Sequence, residues 1–298
     1  MSSEFDFISW IRKQQKPGPL VRLGIGDDLA VLNWAKEDLL LVGVDQVLDG
    51  VHFDSAVHSP RAIGRKAMNR NLSDCAAMGC LPTAAVVTVA LPKGVGDEYA
   101  KELYLGMKEA GDVFDCPIVG GDTASWAGKL VVTITILGRN SGVEPITRGG
   151  AKPGDVIYVT GPLGGSILGR HMTFVPEIDN GRRLAKNGIV SAMIDLSDGL
   201  SRDLAHICRE SGVGAVVCAA DVPVHTDAIE MRRDGHSPLE HALHDGEDYE
   251  LLFTSNLQAL AGLIAYGVGV ITAEPGIWLE HRDGSREPLE PKSWEHTF

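Results

Sequence analysis

Two apolar runs in this chain end on an aspartate. Residues 39–44 lead into Asp45, and Ala192-Met193-Ile194 leads into Asp195. Short apolar runs of this kind read as strands in a sheet. Aspartate is depleted in strands and costly to bury unless it is paired or metal-bound. An acid directly behind such a run therefore predicts a sheet with carboxylates at its rim, a usual place for ligands.

Other segments fill in a mixed architecture. Residues 84–91 are rich in β-branched side chains, and residues 130–138 alternate Val, Thr, Ile, Thr, Ile, as a half-buried strand does. Ser59-Pro60 predicts a helix start, with serine as cap and proline in the first turn, and the helix runs to about Met78 before Gly79. A second helix is expected over 97–113 and a third over 199–210, with further strands at 156–160, 215–218 and 251–254. The turn-rich stretch 139–154 closes on Lys152-Pro153-Gly154-Asp155, a strong turn signal. At roughly 100–200 residues per domain, the 298 residues suit two domains, divided near residue 140 into 1–140 and 141–298.

Composition narrows the function. Acids outnumber bases 40 to 27, a net charge of −13, which argues against a broad nucleic-acid surface. No apolar run approaches the roughly 20 residues that span a bilayer, and residues 1–10 are polar and acidic, unlike a signal peptide. Cys75, Cys80, Cys116, Cys208 and Cys218 form no C-x-x-C pair, so they read as reduced thiols of a cytoplasmic protein.

Aspartates recur beside glycine or at strand ends, in Gly26-Asp27-Asp28, Val44-Asp45, Ser73-Asp74, Gly121-Asp122, Asp195-Leu196-Ser197-Asp198-Gly199 and Glu247-Asp248. Hard carboxylate oxygens without His/Cys ligand spacing fit Mg²⁺ better than Zn²⁺, and bound metal would let an acidic protein hold a nucleotide triphosphate. Each Gly-Asp taken singly is also an ordinary turn, so the residues alone leave both readings open. The glycine loop 161–166 follows a strand in a phosphate-cradling layout, but no P-loop, dinucleotide or protein-kinase signature is present. Arg148, among glycines, is placed to meet a phosphate, and His52 is a candidate for substrate contact; each also reads as an ordinary structural residue.

Taken in order, these segments resemble the thiamine-monophosphate kinases of the aminoimidazole-ribonucleotide-synthetase-like superfamily. The resemblance rests on Gly24-Ile25-Gly26-Asp27-Asp28, Val44-Asp45 with Gly50-Val51-His52-Phe53, and Asn71-Leu72-Ser73-Asp74 with Ala76-Ala77-Met78-Gly79. It continues through Gly120-Gly121-Asp122-Thr123, Arg148 with 150–155, residues 194–200 and residues 246–251. It implies an α+β, two-domain synthetase-like fold. The N-terminal mixed sheet with helices pairs in a homodimer, and the C-terminal domain is an α/β sandwich.

The resemblance also implies a reaction: ATP and several Mg²⁺ ions convert thiamine monophosphate to thiamine diphosphate by direct in-line transfer. The positions carried over as metal ligands are Asp28, Asp45, Asp74, Asp122, Asp195 and Asp198. Tyr104, Gly121, Asp122, Arg148 and Ser197 carry over to the nucleotide, and His52, Glu247 and Trp294 to the thiamine substrate. No residue is assigned as a general base. One departure bears on ion count: the family's usual Ser-Thr-Asp is here Gly43-Val44-Asp45, without the hydroxyls that commonly help hold metal. Two other readings keep the nucleotide: a superfamily enzyme with a different phosphorylated acceptor, and a non-catalytic nucleotide-binding relative.

Overall fold

The computed structural model describes residues 21–23, 27–34, 39–231, 234–256 and 264–292. In chain order the first half forms β1 (Val21–Leu23), β2 (Ala30–Asn33), β3 (Leu39–Leu48), α1 (Pro60–Ala77), β4 (Leu81–Pro92), α2 (Gly96–Asp112), β5 (Ile118–Trp126) and β6 (Val131–Arg139). The second half forms β7 (Val156–Val159), α3 (Ile178–Asn187), β8 (Val190–Asp195), α4 (Leu200–Ser211), β9 (Gly214–Cys218), α5 (Thr226–Met231) and α6 (Pro238–His244). It closes with β10 (Leu251–Ser255), β11 (Tyr266–Thr272), β12 (Ile277–Glu280) and β13 (Arg286–Pro288).

Each half has its own sheet. The first runs β1-β2-β3-β6-β4-β5, with only the β4–β5 pair parallel. The second runs β13-β12-β9-β11-β7-β10-β8, with only β12–β9 parallel. Mixed sheets with helices in both halves are the α+β arrangement expected from the sequence. Among the described residues no helix is long and apolar enough to cross a membrane. All five cysteines are free, and four are buried.

Helix α1 sits at the centre. Ser59 caps it by accepting a hydrogen bond from Ala62 N–H, and Pro60 occupies its first turn, as the sequence signals. Ile63, Ala67, Met68 and Leu72 bury against the inner face of the first sheet, with Leu41, Val132, Ile134 and Ile136. The same core takes in Ile178 and Leu184 of α3 and Tyr158, Met193 and Phe253 of the second sheet. Leu200, Leu204 and Ile207 of α4 form another core with Ile157, Val159, Ala192 and Ile194. Helices α1 and α2 touch through glycine: a Cβ on Gly64 would lie 2.1 Å from Leu103 O, and one on Gly106 would lie 2.0 Å from Arg61 O.

Strand β3 is longer than its apolar run suggests, and β5 forms where the sequence predicts no strand. Asp45 lies inside β3, where the sequence places it behind the strand, and Asp122, which the sequence marks only as an acid beside glycine, lies inside β5. Asp45 is tolerated there because Arg70 pairs with its carboxylate, and Asp122 because its side of β5 is exposed.

Candidate active site

Helix α1 is buried nearly all round, yet it carries Lys66, Asn69, Arg70, Asn71, Ser73 and Asp74. Buried polar groups need partners, and Lys66, Asn69, Arg70, Asn71 and Ser73 have them. Asn69 Nδ2 donates to Phe174 O (2.7 Å), Asn71 Oδ1 accepts from Asp45 N (3.2 Å), and Ser73 Oγ donates to an Asp195 oxygen (2.6 Å). Lys66, Arg70 and Asp74 are spaced by four, so they line one face of the helix. The site is built along that row.

At one end of the row, three carboxylates from distant segments converge. Oxygens of Asp28, Asp74 and Asp195 all lie within 4.8 Å of one another. Arg148 grips Asp28 with both arms, Nη2 to Oδ1 at 2.8 Å and Nε to Oδ2 at 3.1 Å, and its backbone N–H donates to Asp27 (3.0 Å). Burial and the charge of Asp28 push Asp195 up to about 7, and push Asp27 to about 7 as well. Burial, then the charges of Asp45, Asp195 and Asp28, raise Asp74 well above the carboxylate range. Like charges held this close call for a cation.

Asp198, Asp203 and His206 form a second close group within 4.8 Å. The Asp203 carboxylate accepts the backbone N–H groups of Asp198 (3.1 Å) and Gly199 (3.0 Å), which fixes the entry to α4. Burial and the nearby Arg148 lower His206 to about 3, which keeps its ring neutral. Ser197 lies in the same turn, and its carbonyl accepts the Glu247 N–H at 2.8 Å.

At the other end of the row, Lys66 and Arg70 meet Glu247. Lys66 Nζ lies 2.8 Å from Glu247 Oε1 and also donates to the backbone oxygen of His52, while Arg70 Nη1 lies 3.5 Å from Oε1. Burial would raise the Glu247 pKa, but the two cations outweigh it and hold the carboxyl below its ordinary range. Lys66 is fully buried; burial lowers its pKa to about 8 against the pull of Glu247. The ring of His52 is itself tied to the turn, since Nδ1 accepts from Leu48 N at 3.1 Å.

The segment carrying Glu247 is strained. Glu247 and Tyr249 both adopt left-handed backbone, with φ of 52° and 55°. For non-glycine residues that costs of order 1–3 kcal/mol each and persists only where the surroundings enforce it. They do: Glu247 N–H donates to Ser197 O and Tyr249 N–H to Leu196 O, both at 2.8 Å, and the Tyr249 ring stacks on Phe174 at 3.8 Å. Strain held this firmly marks a segment whose side chains are aimed at something.

The glycine loop plays a different part from the phosphate cradle its layout suggests. Gly164 N–H donates to both oxygens of Asp248 (3.0 and 3.1 Å), and Gly165 N–H donates to Asp245 (2.9 Å). Short 3₁₀ turns follow in place of an α-helix. The amides of Gly164 and Gly165 are taken by carboxylates of the protein itself, so the loop anchors the strained segment.

Of the other sequence candidates, Tyr104, Gly121 and Asp122 line one cavity of about 440 Å³ between α2 and strands β4 and β5. Val87, Val89, Leu103 and Met107 give it apolar walls. A Cβ on Gly121 would lie 1.9 Å from Val87 O, so the wall requires glycine there. Asp45 stands beside the three-carboxylate group and pairs with Arg70 Nε at 3.1 Å. Trp294 lies outside the described residues. Lys66, Arg70 and Tyr249 escaped the sequence reading; the spacing of four between Lys66, Arg70 and Asp74 was the available signal.

Comparison with known proteins gives a consistent answer. The family described as AIR synthase related protein, N-terminal domain, matches residues 26–140. Thiamine-monophosphate kinase of Rhodopirellula baltica is 38% identical over 98% of this chain and 97% of that protein. Its namesake in Bacillus subtilis is 34% identical over 84% of this chain and 83% of that protein. The solved structure "AaThiL complexed with AMPPCP and TMP" superposes with a TM-score of 0.88 at 30% identity, covering 99% of this chain and 97% of that one. Matches of this extent and identity make this chain a member of the thiamine-monophosphate kinase family.

Proposed function

We propose that this kinase transfers the terminal phosphoryl group of ATP to thiamine monophosphate, giving thiamine diphosphate and ADP. The observation that carries this reading is the convergence of Asp28, Asp74 and Asp195 beside Arg148. The relative solved with AMPPCP and TMP supplies the substrate pair.

The donor set fits Mg²⁺. It offers hard carboxylate oxygens and no thiolate, and two of its acids are held above their usual range until a cation arrives. Bound there, Mg²⁺ would neutralise charge on the triphosphate and on the acceptor phosphate. Asp28, Asp74 and Asp195 are assigned as its core ligands, with Asp122 and Asp198 on the nucleotide side. Several ions are expected.

The protein's remaining work is alignment. The cavity at Tyr104, Gly121 and Asp122 takes the nucleotide's base and sugar, and Ser197 lies along its phosphates. Arg148 presents a planar fork to the phosphoryl oxygens. An oxygen of the acceptor phosphate attacks the terminal phosphorus in line as the bond to the ADP oxygen breaks. That acceptor is already ionised at neutral pH, so no general base is assigned. Glu247, braced by Lys66 and Arg70, faces the thiamine cation together with His52, and Trp294 is proposed to cover its rings.

Three further readings belong with this one. The division into domains 1–140 and 141–298 follows the two sheets. A homodimer through the first sheet is supported by its outer face, where Val44 (60% exposed) and Val86 (37%) both register with Thr135. Action in the cytoplasm, without nucleic acid or membrane as partner, suits the acidic charge.

The test is direct. Purified protein is incubated with ATP, Mg²⁺ and thiamine monophosphate, and thiamine diphosphate is measured. Saturable binding of Mg-ATP without product would refute the kinase assignment of this chain's substrate.

A further inference from the structure

Asp45 has the position of an ion ligand and the surroundings of something else. Its carboxylate meets Arg70, one helical turn before Asp74, and its backbone N–H meets Asn71 on the same helix, so it is held beside the carboxylate group. Yet it does not belong to the set of oxygens within 4.8 Å of one another. Its Oδ2 accepts from Arg70 Nε at 3.1 Å, and its backbone N–H is bound by Asn71 Oδ1. The residues before it, Gly43 and Val44, bring no side-chain oxygen, and a Cβ on Gly43 would lie 2.2 Å from Leu29 Cδ2. Mg²⁺ is usually held by one or two carboxylates together with phosphate and water oxygens, and the one carboxylate here is already engaged by a cation.

Arg70 is itself held in place. It lies one helical turn before Asp74, has a side chain 14% exposed, and is fixed at its far end by Glu247. Burial opposes its charge, but the carboxylates of Asp45 and Glu247 more than restore it. Its guanidinium therefore spans the acid on the acceptor side and the acid beside the ion cluster.

We propose that the Arg70 guanidinium takes the place of a divalent cation at Asp45, so that this chain carries one ion fewer than its acidic residues suggest, and that Arg70 is the positioning residue joining the ion cluster to the acceptor site. This rests on the reading of Asp28, Asp74 and Asp195 as ion ligands. An arginine supplies one fixed positive charge at a set position, needs no loading from solution, and keeps Asp45 from competing for the ions at Asp74 and Asp195.

The experiment counts Mn²⁺ bound per chain by equilibrium dialysis, with a non-hydrolysable ATP analogue in excess. It compares wild type with Asp45→Asn, Arg70→Met and Asp74→Asn, each checked for folding by circular dichroism. The expected result is an unchanged count in Asp45→Asn, one Mn²⁺ more in Arg70→Met, and one fewer in Asp74→Asn. A loss of one ion in Asp45→Asn, or an unchanged count in Arg70→Met, overturns the proposal. An unchanged count in Asp74→Asn refutes the cluster as an ion site, while the Asp45 and Arg70 variants still decide the role of Arg70.

Discussion

Replacing Asp74 by asparagine should move stability and activity in opposite directions. Asp74 shares a 4.8 Å neighbourhood with Asp28 and Asp195, and each ionised pair at that range repels by about 3 kcal/mol at an effective dielectric near 20. Proton uptake relieves much of this, because burial and like charge push Asp195 up to about 7 and raise Asp74 well above the ordinary carboxylate range. A carboxyl whose folded pKa is raised costs nothing below its unfolded value of 3.8, where both states are protonated. The cost grows as pH climbs above that value. Asp74→Asn should therefore unfold at higher urea than wild type at pH 8 without Mg²⁺, by on the order of 1–3 kcal/mol, and the difference should vanish near pH 4. Mg²⁺ should then stabilise wild type more than the variant, and kcat should fall roughly 10²–10³-fold, as when a group serving transition-state charge is removed. Urea melts at the two pH values, with and without Mg²⁺, measure all of this. A variant less stable than wild type at pH 8, with its response to Mg²⁺ intact, would refute the argument.

Three more perturbations test other parts of the site. Lys66 holds its proton only up to about pH 8, so wild-type kcat/KM should decline as pH rises through that value. Lys66→Arg, which stays charged, should keep its rate there; an unchanged alkaline limb in the pH–rate profile would count against the Lys66–Glu247 pair. Gly64→Ala drives a methyl towards Leu103 O, 2.1 Å from the ideal Cβ, and should cost about 1–3 kcal/mol in a urea titration. Val86→Glu puts a charge on the outer face of the first sheet, and should sediment as a folded monomer while wild type, on the proposed homodimer, should sediment as a dimer; identical sedimentation would remove that face from the interface.

Much of this was legible because local chemistry agreed with the fold. Ser59 and Pro60 cap α1 as their residue types require, and alternation over 130–138 gives strand β6, with Val132, Ile134 and Ile136 inward. The acids drew attention because a carboxylate near a strand needs a reason. What stayed hidden depended on distant partners. The sequence cannot show that Asp45 continues a strand, because the cation that makes this tolerable sits 25 residues away on α1. Glu247 and Tyr249 bear no mark of left-handed backbone, since Leu196 and Ser197 impose it from another segment. The glycine loop misled because backbone amides look equally ready for phosphate or carboxylate, and only the fold brings Asp245 and Asp248 to them.

Helix α1 explains why packing and chemistry are hard to separate in this molecule. Its apolar residues fill the core of the first half, its glycine contact with α2 leaves no room for a methyl, and its polar row forms the floor of the site. Ordinary helices put such residues on a solvated face, where they do not need fixed partners. Here the row is covered by segments from both halves: β3 brings Asp45, β8 brings Asp195, and the strained turn brings Glu247. Each cation or hydroxyl on the row meets an acid from elsewhere, and Asp74 meets other acids instead. Lys66, Arg70 and Ser73 thus hold the two halves in register beside a position where negative charge is left in excess. That excess is what, on the proposed function, draws a divalent cation and the phosphates it carries to this end of the row.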